Sequence, residues 1–140
     1  TRRALAALGA GVVELVEGTG YVLPGDSDPV PAHQPWAALL PGLDPTPMGW
    51  RERDWYLPVE HRAALFDSTG NVGPTVWWDG RVVGGWAQAA AGEIVWELLD
   101  RVGADAVAAI EAEAARLAAW TTGVRITPRF RTPLERRLGA

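Results

Sequence analysis

Apolar and polar residues change their spacing several times along the chain, and each change marks an element. In residues 2–9, Leu5 and Leu8 stand three apart, the spacing of a helix face, and Gly9 and Gly11 stop it. Val12–Val16 and Tyr21–Leu23 then read as two strands joined by Glu17, Gly18, Thr19 and Gly20. Pro24–Pro35 carries four prolines and two aspartates and reads as a linker. Trp36–Leu40 is a short apolar run, expected as a buried strand. Pro45 and Pro47 argue against regular helix or central strand in 42–49, whereas Arg51–Tyr56 is expected to be a short helix. Glu93–Leu99 alternates, with Ile94, Trp96 and Leu98 on one face, as a half-buried strand does.

The longest periodic stretch is 105–121. Val107, Ile110, Ala114, Leu117 and Trp120 step by three or four and line one stripe, an amphipathic helix with Gly123 as its cap. Arg125–Phe130 alternates but is interrupted by Pro128, so an edge strand is expected. Thr132-Pro133-Leu134-Glu135 is a capping box with proline at the first helical position.

Between these lies the sharpest local signal. Asp79-Gly80 supplies the two positive φ values of a type I′ turn, so Thr75–Trp78 and Arg81–Val83 should pair as a tight hairpin. Trp77 and Trp78 must point to opposite faces; one reaches a core while the other is left for water or a partner. Gly84-Gly85 lacks the following Gly-Lys pattern of a phosphate loop and reads as a bend or a close approach of backbones.

Composition narrows the chemistry. The chain has 140 residues, 48% hydrophobic and 21% charged, a globular balance with no apolar run near the length of a membrane span. It begins with Thr and shows no signal-peptide pattern, so it reads as a fragment of a longer open reading frame. With no cysteine, disulfides, thiolate nucleophiles and Cys-ligated zinc are excluded, which suits a cytoplasmic setting. His33 and His61 lack a metal-ligand spacing, and no metal or other cofactor is expected; His61, beside Glu60, is expected at the surface. Asp44, Asp67 and Asp79 sit where aspartate caps turns, and no carboxylate pair is spaced for acid–base work.

The net charge of −4 argues against a free-standing nucleic-acid binder, yet the charge is uneven. From 124 to 140 there are five arginines against one glutamate, a net of +4; from 93 to 120, six acids face two arginines, a net of −4. All 13 basic residues are arginine, which GC-rich coding or phosphate recognition both explain.

Several segments together resemble a known family. They are Leu43-Asp44-Pro45-Thr46 with Met48-Gly49-Trp50, Asp54-Trp55-Tyr56-Leu57, Leu65-Phe66-Asp67, Gly70-Asn71 with Gly73-Pro74-Thr75-Val76-Trp77, the run Asp79–Trp86, and Pro128-Arg129-Phe130 with Thr132-Pro133-Leu134-Glu135. In this order they resemble the C-terminal part of the bacterial winged-helix DNA-binding proteins that include the AlkZ and YcaQ type DNA glycosylases. The resemblance implies tandem winged-helix units and a small β-barrel-like subdomain around duplex DNA, with a barrel hairpin near the minor groove. It also implies hydrolysis of the N-glycosidic bond of alkylated or crosslinked bases by a Gln-x-Gln or Gln-x-Asp motif in a more N-terminal region. The only glutamines here are Gln34 and Gln88, followed two positions on by Trp36 and Ala90, so that motif is absent and no catalytic residue carries over.

The expected fold is therefore α+β: the end of a winged-helix unit over 1–24, a Pro-rich linker over 25–35, and a β-barrel-like subdomain over 36–140 containing helix 105–121. The expected partners are double-stranded DNA and the missing N-terminal part of the same chain, with no membrane. Candidate DNA-binding residues are Trp77, Trp78, Arg81, Arg125, Arg129 and Arg131. Each has a competing reading: the tryptophans as core, with Trp36, Trp96 and Trp120, and the arginines as a solvated face or as partners of the acidic helix. A non-catalytic winged-helix regulator on the same scaffold is the alternative function.

Overall fold

The computed structural model describes residues 2–15 and 18–139. Val16, the expected end of the first strand, and Glu17 of the expected turn lie outside the described residues. The chain divides into two compact units, 1–34 and 35–140.

In the first unit, helix α1 (Arg2–Ala7) is followed by an antiparallel pair, β1 (Gly11–Leu15) and β2 (Gly18–Val22). Gly9 takes φ +62°, a left-handed conformation that ends the helix without steric cost. No residue of α1 is buried, and Leu8, Val12, Leu15, Tyr21 and Leu23 are all more than half exposed.

The second unit is built on one four-stranded antiparallel meander, in the order β3 (Ala37–Leu40), β4 (Thr75–Trp78), β5 (Arg81–Gln88) and β6 (Ile94–Leu98). The expected barrel is not formed: β3 and β6 are open edges. Helices cover both faces instead, so the sheet has no need to close on itself. Helix α4 (Ala104–Trp120) lies on one face, against Val76, Val83 and Trp86 through Ile110. On the other face α3 (Arg62–Leu65) and α5 (Pro133–Leu138) pack with the 56–57 segment around Trp77 and Val82.

The β4–β5 hairpin turns at Asp79 (φ 46°) and Gly80 (φ 80°), as the sequence requires. Between them the register slips: Val76 faces Gly84 while Trp77 faces Val82, leaving Val83 as the extra residue of a bulge. Its carbonyl accepts from Leu99 N–H at 2.8 Å, tying the bulge to the end of β6. Gly84 and Gly85 are close-approach sites. A Cβ on Gly84 would lie 2.2 Å from the Glu97 carbonyl oxygen, and one on Gly85 would lie 2.8 Å from Leu134.

Several local expectations are corrected. Pro45–Gly49 is a short helix, α2, because Asp44 caps it by accepting from Thr46 N–H at 2.9 Å and prolines in a first turn forfeit no helical hydrogen bond. Residues 51–56 are turns rather than helix; Arg53 Nη1 and Tyr56 Oη reach back to the carbonyls of Pro47 and Thr46 at 2.5 and 2.7 Å. Residues 125–130 form no strand. The side chain of Gln88 takes the place of a ladder: Oε1 accepts from Ile126 N–H at 2.8 Å and Nε2 donates to the Val124 carbonyl at 3.0 Å. The stripe of α4 buries Ile110 and Ala114 but leaves Trp120 83% exposed, because the buried face continues to Thr121, 8% exposed, and Trp120 lies off that face. Trp36, expected in the core, is 43% exposed at the mouth of β3, and Trp96 is half-buried.

Candidate nucleic-acid interface

The hairpin that nominated Trp77 and Trp78 is mostly framework. Trp77 is 5% exposed, stacks on Tyr56 with ring centroids 5.6 Å apart, and donates its indole N–H to Thr75 Oγ1 at 2.8 Å. Tyr56 in turn accepts Val82 N–H at its carbonyl, so strand, ring and loop form one packed block. Trp77 therefore has neither surface nor donor left for a partner. Trp78 is half-buried on the opposite face, against the α4 cluster. The two rings do point to opposite faces, but both faces are covered. Of the hairpin's candidates Arg81, immediately past the turn, is exposed.

The other candidates lie elsewhere. Arg125 Nη1 donates to the Ala89 carbonyl and, at 2.8 Å, to that of Ala90, beyond the far end of β5. Eight residues of strand separate Arg81 from Ala89, roughly 25 Å at strand rise. The candidates thus form two groups rather than one patch. In the second group the Arg129 guanidinium lies 5.3 Å from the Phe130 ring centroid, and Arg131 Nη1 donates to the Gly139 carbonyl at 3.3 Å. Arg137 is spent on Glu97 of β6, with Nη2 2.5 Å from Oε1.

The irregular 126–132 segment closes a cavity of about 520 Å³ against the 41–43 and 71–74 loops and the end of β5. Trp86, Phe130 and three prolines supply apolar wall, and Arg129, Arg131 and Glu135 line it too. Glu135, 4% exposed, holds the capping box of α5: Thr132 N–H and its carboxylate Oε2 lie 3.4 Å apart, and Glu135 N–H and Thr132 Oγ1 lie 3.4 Å apart. Burial pushes its carboxyl above the ordinary glutamate range, against the opposing pull of Thr132 N–H and Arg131. Asp67, at the cavity edge, is shifted the other way, because it accepts from the side chains and backbone N–H groups of Asn71 and Thr69.

Sequence reasoning did not find this cavity. Its walls come from four stretches far apart in the chain, and no local spacing announces them. It also placed His61 at the surface, whereas the ring is 4% exposed with Nε2 3.2 Å from Asp100 Oδ1. Trp50 and Trp55, each 59% exposed, are further surface aromatics that the sequence pattern did not single out. Among the described residues, no three His, Asp or Glu side chains converge as a metal site would require, and no helix is long and apolar enough to cross a membrane.

An α+β unit of open meander and flanking helices, preceded by a helix–hairpin unit, is the class this architecture defines. The family model described as DNA glycosylase AlkZ-like matches residues 1–120, and the chain belongs to that AlkZ-like DNA glycosylase family. Among solved structures the chain is similar to Streptomyces sahachiroi DNA glycosylase AlkZ, with a TM-score of 0.61 and 26% sequence identity. The match covers 84% of this chain and 34% of that one, so the chain spans about a third of that protein's length. No curated protein sequence matches. Trp77, Trp78 and Arg81 fall inside the span of the family match, and Arg125, Arg129 and Arg131 fall beyond it.

Proposed function

We propose that this chain is the DNA-binding C-terminal segment of a winged-helix, glycosylase-like protein that excises alkylated or crosslinked bases from double-stranded DNA. The observation that carries the reading is the family match over residues 1–120, with the structural similarity to a DNA glycosylase beside it. In this reading Arg81 presents a guanidinium at the hairpin turn to phosphate or minor groove, and Arg129, with Arg125 and Arg131 behind it, extends the contact at the other end of β5. The exposed apolar side chains of the helix–hairpin unit, Leu8, Val12, Leu15, Tyr21 and Leu23, are the surface on which a further part of the parent chain packs.

Bond cleavage is assigned to a part of the parent other than these residues. Neither Gln34 nor Gln88 lies in a Gln-x-Gln or Gln-x-Asp motif, and Gln88 is 6% exposed with its amide committed to backbone groups. That same observation favours the second reading, a non-catalytic winged-helix DNA-binding protein on the same scaffold.

Fluorescence anisotropy of a short blunt duplex, titrated with the 140-residue chain across a salt series, tests the binding role. Binding is expected to weaken with salt, and Arg81→Ala is expected to reduce the log–log slope by roughly one unit. An affinity and slope indifferent to Arg81→Ala and to Arg129→Ala would remove the assigned contacts. Glycosylase assay of the parent on alkylated duplex separates the two readings.

A further inference from the structure

The cavity beside Trp86 has the makings of a ligand site in its own right. Its volume of about 520 Å³ falls within the range of small-molecule pockets, roughly 300–1,000 Å³, and its walls are mainly apolar and flat, from Pro41, Pro74, Pro128, Trp86 and Phe130. Few polar groups in it retain capacity. Both carboxylate oxygens of Asp67 are taken by Thr69 and Asn71, and the Gln88 amide by Gly92, Val124 and Ile126. Among the charged side chains with capacity left are Glu135 and Arg129, with Thr127 and Arg131, which donates from Nη1 to Gly139, beside them. Glu135 is buried, and its Oε1 receives no hydrogen bond among the described residues while Oε2 faces Thr132 N–H. Arg129 is exposed, lies over Phe130, and makes no ion pair among the described residues.

An ionised carboxylate lining a mainly apolar pocket accepts only, and so selects an N–H donor. A planar wall with an exposed aromatic selects a flat ring, and a guanidinium beside that aromatic selects an anion. The geometry points to a nucleotide pocket: the base stacks on Phe130, one base N–H or amino group donates to Glu135, and the phosphate meets Arg129. The same chemistry is offered by a free mononucleotide and by an unpaired nucleotide at the end of a DNA strand. The pocket shares Arg129 with the duplex contacts assigned above, while Phe130 and Glu135 belong to the pocket alone.

The test is a titration of the 140-residue chain with AMP, followed by tryptophan fluorescence and calorimetry, beside ribose 5-phosphate and adenosine as partial ligands. AMP is expected to bind more tightly than either part. Phe130→Ala should weaken AMP by at least about fivefold, the lower end of a base–aromatic stack. Arg129→Ala should abolish the preference for AMP over adenosine. Phe130 is 67% exposed, so its removal leaves the core intact; Glu135→Gln, which keeps the cap acceptor, should also weaken AMP. No binding at millimolar AMP, equal binding of AMP and ribose 5-phosphate, or AMP affinity unchanged in Phe130→Ala overturns the proposal. If the pocket binds AMP, a duplex with a single unpaired 3′ adenosine compared with its blunt counterpart shows whether a strand end fills it; preference for either source upholds the pocket. Blunt-duplex affinity alone reports on the DNA-binding reading, so the two fail separately.

Discussion

The β4–β5 hairpin and the 124–132 segment were both nominated by residue type, and the fold treats them in opposite ways. In the hairpin, ring and strand are locked: Trp77 is sealed under Tyr56, the register is fixed by a bulge at Val83, and two glycines let neighbouring backbone and side chains approach. In the segment, chain direction is fixed by the Gln88 side chain and by arginine bonds to carbonyls, and Phe130 and Arg129 stay exposed. The difference teaches that aromatic and basic residues act on a partner only where the backbone beneath them is not already consumed by packing. A strand paired on both sides buries what it carries; an irregular segment held by a few side-chain bonds leaves its side chains free.

That contrast can be broken from its strongest side first. Gly84→Ala places a methyl against the Glu97 carbonyl, a backbone group that cannot step aside, and is expected to cost about 3 kcal/mol or more; a thermal or urea melt within 1 kcal/mol of the parent would contradict the packed hairpin. Trp77→Ala should cost about 3–5 kcal/mol in the same melts, as for a buried aromatic. Gln88→Ala should cost about 1–3 kcal/mol, by leaving Ile126 N–H and the Val124 carbonyl without partners, and hydrogen exchange in 124–131 should quicken more than in β4.

A smaller effect depends on pH. Glu135 binds its proton more tightly folded than unfolded, so its contribution to stability is complete below the unfolded value, about 4.3, and is lost as pH rises through the higher folded value. Glu135→Gln stays neutral, so its melting temperature relative to the parent should rise as pH goes from about 4 towards neutrality; a difference flat in pH would refute the burial argument. The smallest effect on stability is expected from Trp120→Ala, within about 0.5 kcal/mol, because that side chain is 83% exposed.

The local elements were largely legible. The Asp79-Gly80 turn, the alternation in β6, the stripe of α4 and the capping box at Thr132 each rest on a few adjacent residues and their backbone preferences. Where the reading failed, a distant contact had overridden a local one. His61 is buried and bonded to Asp100, 39 positions away, and 125–130 is kept from a ladder by the Gln88 amide. The barrel was replaced by an open sheet because helices covered both faces, which no single segment could announce.

The sequence by itself determined the Asp79-Gly80 turn, the Thr132 cap, the long helix α4 and the family to which the chain belongs. Turn geometry, capping and side-chain period are settled within a few residues, so they can be read from a linear string. Tertiary structure alone decided that the tryptophan hairpin is framework, that the candidate arginines fall into two groups a strand apart, and that Glu135 lies in a pocket. Those outcomes depend on which faces are covered and which backbone groups are already bonded. Both are properties of contacts between residues remote in the chain.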